Sequence, residues 1–454
     1  MDLTSLKKWY STYSDDALKD FFRFLQFKSI STDQAYDKST KDCATWLTEY
    51  LNGIGMQATC LQTSGHPVVF ATHTKAGKDK PTLLIYQHYD VQPVDPIELW
   101  ESDPFEPIIR NGEIYARGAQ DNKGQCFYTI TALKAFLEQV ETLNFNIKLF
   151  IEGEEESGSN GTLEVLGNEE LKSDYLLVVD SGIPAPGEPA ITLGLRGILT
   201  MELQVRMAET DLHSGGMGGI AYNPIRALTH ALAKCYDEEG RVAVPNFYDD
   251  VKELTADEKK RLDFSCDEDQ LQKDFGLKGF CPDPGYPLGE SVSTRPTLEI
   301  NGITGGYTGA GFKTVLPAVA SAKISCRLVP DQDPDKLFQA IQTHIKQHLP
   351  EGAEVTLTSD HGSRAFRCDP ESLIAKRAKV AYEEVMGKPC KSILFGGSIP
   401  ITAELITATG AEGLVMGFGL DTDNIHAPNE HFGLDRFELG FLTMGRILGL
   451  FNEE

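Results

Sequence analysis

Four clusters of histidine and carboxylate punctuate this sequence, each after a short apolar run. They are His88-Tyr89-Asp90 after Thr82–Tyr86, Glu154-Glu155-Glu156 after Ile147–Ile151, Asp180 after Tyr175–Val179, and His426 beyond Gly413–Met416. A fifth candidate, Asp121, stands just before a helical stretch that opens near Gly124. Imidazole and carboxylate are the groups that borderline and hard divalent ions take as ligands. Two histidines and three carboxylates suit a pair of such ions, Zn²⁺ or Mn²⁺, with one carboxylate bridging them. Water between two such ions has its pKa drawn toward neutrality and becomes a nucleophile. A further carboxylate, not itself a ligand, must then carry the water's proton to a leaving amine. Adjacent glutamates can divide those duties.

Singly, each part has an ordinary reading. His88 and Asp90 fall on one face only if the strand runs through both, in which case Asp90 can take the imidazole N–H and fix the tautomer. Three successive glutamates usually form a solvated run. Here they lie between a buried-type strand and Ser157-Gly158-Ser159, a tight turn with helix-capping residues. Asp180 alone suits a helix cap, and His426 alone a core or surface histidine. What raises the set above its parts is placement, because ligands of open α/β sheets bind beyond the carboxyl ends of the strands. His344 and His348 have helical i, i+4 spacing, but Ile345 stands where a zinc-binding HExxH helix needs glutamate. That pair reads as a solvated helix face. No GxSxG elbow or phosphate-binding P-loop is present.

The elements that must position these residues alternate. Helical periodicity marks Asp15–Leu25, Thr40–Leu51, Gly124–Gln139 and Leu434–Phe451, with the apolar strands between them. Strands separated by helices predict a mostly parallel sheet with helices on both faces. The middle differs: strands at Leu199–Met207, Thr297–Ile300, Ala322–Val329 and Ala353–Thr358, with helices at Asn223–Cys235 and Pro334–His348. This β-α-β-β-α-β order is ferredoxin-like. Residues 240–296, rich in Asp, Glu, Lys, Pro and Gly, read as a long insertion. The expectation is therefore an α/β catalytic domain in two parts, 1–197 and 361–454, interrupted by an α+β lid and dimerisation domain at 198–360.

At 454 residues the chain exceeds one ordinary core, in keeping with two domains. A net charge of −25 disfavours nucleic acid and anionic membrane as partners. No apolar run is long enough to span a bilayer, and Met1–Tyr13 lacks the apolar core of a signal peptide, so the cytoplasm is the expected location. Nine cysteines, scattered from Cys43 to Cys390 without a CxxC pair, argue for reduced thiols rather than a disulfide framework or a zinc cluster.

A series of stretches, in order along almost the whole chain, resembles the M20 metallopeptidases and, within them, the cytosolic non-specific (carnosine-type) dipeptidases. They are His88-Tyr89-Asp90-Val91-Gln92-Pro93, Trp100 with Asp103-Pro104-Phe105, Tyr115 to Gly124, Glu152 to Ser159 and Asp211-Leu212-His213-Ser214-Gly215. Gly311 to Pro317, Arg327-Leu328-Val329-Pro330, Gly396 to Pro400 and His426-Ala427-Pro428-Asn429-Glu430 complete the series. The resemblance implies that Asp121 bridges two divalent ions, that His88 and Asp180 complete one site, and that Glu156 and His426 complete the other. It implies Glu155 as general base and Asp90 as the residue orienting His88. It further implies a homodimer formed through the inserted domain, with His213 reaching the partner's active site to steady an oxyanion. Arg327 would hold the substrate's terminal carboxylate, and Thr314 and Ser398 would add hydrogen bonds beside it. The implied activity is hydrolysis of the amide bond of dipeptides or similar small peptides, with N-acyl-amino-acid deacylation as the alternative. Two positions depart from the pattern: Gln120 replaces a second aspartate common among relatives, and Phe395 stands where close dipeptidases often carry glutamate.

Overall fold

Short runs of buried aliphatic residues build the central sheet, and backbone pairing carries each strand past the end of its apolar run. The computed structural model describes residues 1–453; Glu454, the end of the expected second catalytic segment, lies outside the described residues. The chain forms two compact units, one of Met1–Gly194, Arg367–Ile393 and Ile401–Glu454, the other of Leu195–Phe366 with Leu394–Pro400.

In the first unit, Asn146–Glu152, Thr82–His88, Tyr175–Gly182 and Glu412–Gly419 lie side by side in that order, all parallel. Antiparallel strands flank them: Val68–His73 and then Gln57–Leu61 on one side, Ala190–Leu195 on the other. The mostly parallel α/β sheet expected from the alternation of elements is thus present. Its antiparallel hairpin at 57–73 was not anticipated, because Gln57–Leu61 is a part-exposed edge strand without a clean apolar pattern.

Helix Lys123–Gln139 is buried along nearly its whole length, and packs against both Leu3–Leu25 and Leu434–Asn452. Phe21 stacks between Phe127, 5.8 Å away, and Phe437, 5.2 Å away. The ring of Tyr128 lies where a Cβ on Gly440 would come within 2.6 Å, so only glycine admits this close approach. The ammonium of Lys123, fully buried, donates to the carbonyls of Phe24 (3.2 Å) and Phe27 (2.6 Å), which fastens the end of the N-terminal helix beside Asp121. That helix begins at Leu3 rather than Asp15: Leu6, Trp9 and Tyr10 are buried, and Asp2 caps it by accepting from Ser5 N–H at 2.8 Å.

The second unit runs Gly197–Arg206, Pro224–Ala233, Thr297–Gly305, Val319–Leu328, Pro334–Gln347, Glu354–Ser363. Its sheet order is Thr297–Gly305, Val319–Leu328, Gly197–Arg206, Glu354–Ser363, all antiparallel, which is the ferredoxin-like arrangement. Leu199, Met201, Leu203 and Val205, at alternate positions, pack with Leu228, Ile324 and Ile341 in its core. The 240–296 stretch carries three short helices. It is pinned by Arg295, which donates to Asp283 (2.6 Å) and Glu253 (2.7 Å) and lies 4.0 Å over the Tyr286 ring. His344 departs from the solvated-face reading: it is buried, with Nε2 2.8 Å from the Lys234 carbonyl. No helix among the described residues is long and apolar enough to cross a membrane.

Candidate metal centre

Because the four central strands are parallel, their carboxyl ends share one edge of the sheet, and the chemistry-bearing residues gather there. His88 ends its strand, Asp180 lies near the carboxyl end of strand Tyr175–Gly182, and Glu155 and Glu156 form a single helical turn just beyond Asn146–Glu152. Asp121 sits in the turn before the buried helix, and His426 in the loop after Glu412–Gly419. Gly118 begins the Asp121 turn at φ 83°, a left-handed conformation that glycine adopts without strain.

Two triads result, His88–Asp121–Asp180 and Asp121–Glu156–His426, each with ligand atoms within 4.8 Å of one another. Asp121 belongs to both. Its Oδ1 lies 3.1 Å from His88 Nε2 and its Oδ2 3.0 Å from His426 Nε2. Asp180 Oδ1 is 3.7 Å from His88 Nε2, and Glu156 Oε2 is 3.3 Å from His426 Nε2.

The strand itself ends at His88, although Tyr89 N–H still donates to the Glu152 carbonyl at 2.8 Å. The contact forms regardless: His88 Nδ1 lies 3.1 Å from the Asp90 carbonyl and 3.3 Å from its Oδ1. A proton on Nδ1 donates to this pair of oxygens, so Nε2, turned toward Asp121 and Asp180, is the nitrogen that a metal ion would take. The Asp90 carboxylate also accepts from the backbone N–H groups of Glu155 (3.2 Å) and Glu156 (3.1 Å).

So many acids and bases in one buried place compete for protons. Burial favours neutral His88, but Asp180, Asp121 and Asp90 outweigh it and hold its pKa well above the usual value. Hydrogen bonds to Asp121 and Glu156 push His426 up to about 10. Burial opposes ionisation of Asp121, yet bonds from His426 and His88 hold its pKa below the ordinary carboxylate range. Burial, joined by the charge of Asp121, raises Glu156 to about 7. Burial raises Glu155 well above its usual value, and Asp180, Glu156 and Asp121 add to the effect. Glu156 Oε1 is buried without a hydrogen-bond partner, while its other oxygen takes Gln92 Nε2 at 2.7 Å. A buried carboxylate oxygen left unpaired, on a group whose other oxygen lies by the His426 imidazole, fits a cation as the missing partner.

The substrate-contact candidates His213, Thr314, Arg327 and Ser398 fall in the second unit, in two pairs. His213 and Thr314 are brought together by a short ladder, with Ser214 N–H donating to the Thr314 carbonyl at 3.0 Å. His213 Nδ1 accepts from Gly215 N–H at 3.0 Å, which leaves Nε2 to carry the proton of the neutral ring. Arg327 Nη1 donates to Ser398 Oγ at 2.7 Å, and Ser398 Oγ donates to the Arg196 carbonyl at 2.5 Å. Burial and the charge of Arg327 lower the pKa of Arg196 to about 10.

Residues 84–449 match the model of peptidase family M20/M25/M40. The chain belongs to this family. It is a peptidase, and the triads above are of a kind that the divalent metals of M20 metallopeptidases fit. A Cys-Gly metallodipeptidase of Schizosaccharomyces pombe is 28% identical over 464 residues, 97% of this chain and 96% of that protein. The beta-Ala-His dipeptidase of Homo sapiens is 31% identical over 401 residues, 84% of this chain and 78% of that protein. Among solved structures, an M20 family metallo-carboxypeptidase from Sulfolobus solfataricus superposes with a TM-score of 0.87 at 33% identity, covering 96% of this chain and 99% of that one.

Three further residues of this M20 peptidase touch the candidate ligands without having been singled out for it. Gln92 holds Glu156. Asn122 donates from Nδ2 to Asp180 Oδ1 and to the Val179 carbonyl. Glu430 accepts from Asp121 N–H. All three stand inside the stretches that carry the family resemblance, but an uncharged amide or a distant acid has no spacing signal that predicts such a contact.

Proposed function

We propose that this peptidase hydrolyses the amide bond of dipeptides and similar small peptides at a paired divalent metal centre, Zn²⁺ or Mn²⁺. The observation that carries the reading is Asp121 presenting one oxygen to each of two histidines, each backed by a further carboxylate. In this reading Asp121 is the bridge, His88 and Asp180 hold one ion, and Glu156 and His426 hold the other. When bound, such ions polarise the scissile carbonyl and acidify water toward neutral pH.

The side chains supply the rest. Glu155 adjoins the ligand Glu156, and burial, which raises its pKa well above the usual value, makes it a stronger base for taking a proton from water and returning it to the leaving nitrogen. Asp90 keeps His88 in the tautomer that offers Nε2 and holds the Glu155–Glu156 turn. His213, with its proton on Nε2, is an exposed donor suited to a developing oxyanion. Arg327 binds the substrate's terminal carboxylate, and Thr314 and Ser398 add hydrogen bonds. We take the working form to be a cytoplasmic homodimer joined through the second unit, where the large apolar side chains of Ile220, Tyr222 and Phe312 are exposed. The Cys-Gly and beta-Ala-His specificities of the named relatives support dipeptides as the substrate class.

Phe395, half exposed, favours a second reading, N-acyl-amino-acid deacylation, because an aromatic ring offers no charge to a free ammonium. The test is mass spectrometry of metal-reconstituted protein against a mixed library of dipeptides and N-acyl-amino acids. Cleavage of dipeptides that is lost on blocking the amino group supports the dipeptidase. Cleavage confined to acylated substrates overturns it.

A further inference from the structure

His88 and Asp180 are set by strands, but Asp121 and His426 both lie in connecting segments. Ligands on two separate loops need a common reference if they are to hold one ion between them. The structure supplies one in Glu430, four residues beyond His426 and fully buried.

The Glu430 carboxylate is the hub around which the Asp121 turn is wound. Oε2 accepts from Arg117 Nη1 and from Gly118 N–H, each at 2.8 Å. Oε1 accepts from the N–H groups of Gln120 and Asp121, each at 3.0 Å. The Glu430 carbonyl takes Ala116 N–H at 3.2 Å as well. On the other side, the His426 segment is tied down by Asn429, whose Oδ1 accepts from Glu101 N–H and whose Nδ2 donates to the Leu99 carbonyl, both at 2.9 Å. His426 at φ 60° and Asn429 at φ 64° hold backbone conformations that a loop keeps only when such contacts over-determine it. Asp121 is therefore referenced to the loop that carries His426, and the bonds to the Asp121 turn itself, from Gly118, Gln120 and Asp121, all end on the Glu430 side chain.

We infer that Glu430 is a positioning residue that sets Asp121 against His426 and so determines the geometry of the second cation site. The inference rests on the paired-metal reading above. No neutral side chain replaces Glu430: all four partners of its carboxylate are donors, and a glutamine would turn an NH₂ group toward two of them. Losing a partner that orients a ligand costs about 10- to 100-fold in metal affinity.

The test uses Mn²⁺ alone, measured by equilibrium dialysis and by electron paramagnetic resonance, which separates coupled ion pairs from isolated ions. Wild-type protein with two equivalents is expected to show a coupled pair. Glu430→Gln, with a native near-ultraviolet circular dichroism spectrum, is expected to bind its weaker Mn²⁺ about 10- to 100-fold less tightly and to show an isolated-ion signal at the same loading. If Glu430→Gln does not fold, Glu430→Asp keeps the charge but withdraws the carboxylate by one methylene, and should show the same loss in smaller degree. A folded Gln or Asp variant with wild-type affinity and a coupled pair overturns the inference while leaving the paired centre intact. Wild-type protein that binds a single Mn²⁺ overturns the paired reading itself.

Discussion

Oδ1 of Asp90 lies 3.3 Å from Nδ1 of His88, with both side chains fully buried. The same carboxylate receives the N–H groups of Glu155 and Glu156, so one residue aligns a candidate ligand, a candidate base and a second ligand. Asp90→Asn turns an amide NH₂ toward donors and permits the wrong His88 tautomer. Metal affinity should fall by about 10- to 100-fold, read by competition with a chromogenic chelator. Wild-type affinity in that variant would remove Asp90 from the positioning role.

Two divalent ions per chain are expected, because Asp121 belongs to both triads. Elemental analysis after gentle dialysis should approach two ions per protomer, and Asp121→Ala should lose both. A firm stoichiometry of one with metal in excess sinks the bridged centre.

Glu155 and Glu156 are neighbours assigned to different work. Glu155→Gln should retain metal while turnover falls by about two to four orders of magnitude. Glu156→Gln should lose metal, since it removes a ligand oxygen from beside His426. The reverse outcome places the register one residue off.

Glu152 gives a pH signature. Burial raises its pKa to about 7, although Tyr86 Oη and Thr162 Oγ1 donate to its two oxygens at 2.6 and 2.7 Å. An acid whose folded pKa exceeds its unfolded value of 4.5 binds more protons when folded between those limits, so its contribution to stability declines as pH rises from 4.5 to about 7. Urea unfolding from pH 4.5 to 8 should show Glu152→Gln with a flatter profile across that window and a relative gain at its upper end. Identical pH profiles would falsify the assignment.

His213 provides the oligomer test. His213→Ala should cost mainly kcat, by roughly a hundred- to a thousandfold, as for other oxyanion donors. Mixing it with Glu155→Gln should restore activity on subunit exchange if the imidazole serves the partner's site. No recovery, with heterodimers shown to form, confines His213 to its own chain or to no catalytic role.

Much of the fold was legible because its central strands are apolar and parallel, and their polar ends announce the edge where ligands gather. Strand bounds were underestimated, since hydropathy stops where the site begins while backbone pairing continues through His88, Glu152 and Asp180. The helix also runs through the polar stretch before Asp15, where Leu6, Trp9 and Tyr10 keep the helical spacing, and the partner that buries His344, the Lys234 carbonyl, is invisible in spacing. The gathering of the candidate residues around the strand ends follows from the parallel strands. The supports Gln92, Asn122 and Glu430 were not anticipated, because they act through contacts spanning 58 to 313 positions.

The discontinuity of the first unit has a consequence for biosynthesis. Leu195–Phe366 is nearly all of the second unit and can complete its core while the ribosome is still working. The first unit cannot. His88, Asp121, Glu156 and Asp180 emerge early, yet His426 and the helix whose Phe437 stacks on Phe21 come last. The nascent chain therefore carries four of its five candidate ligands before His426 joins them, and the candidate centre is complete only once that residue has emerged.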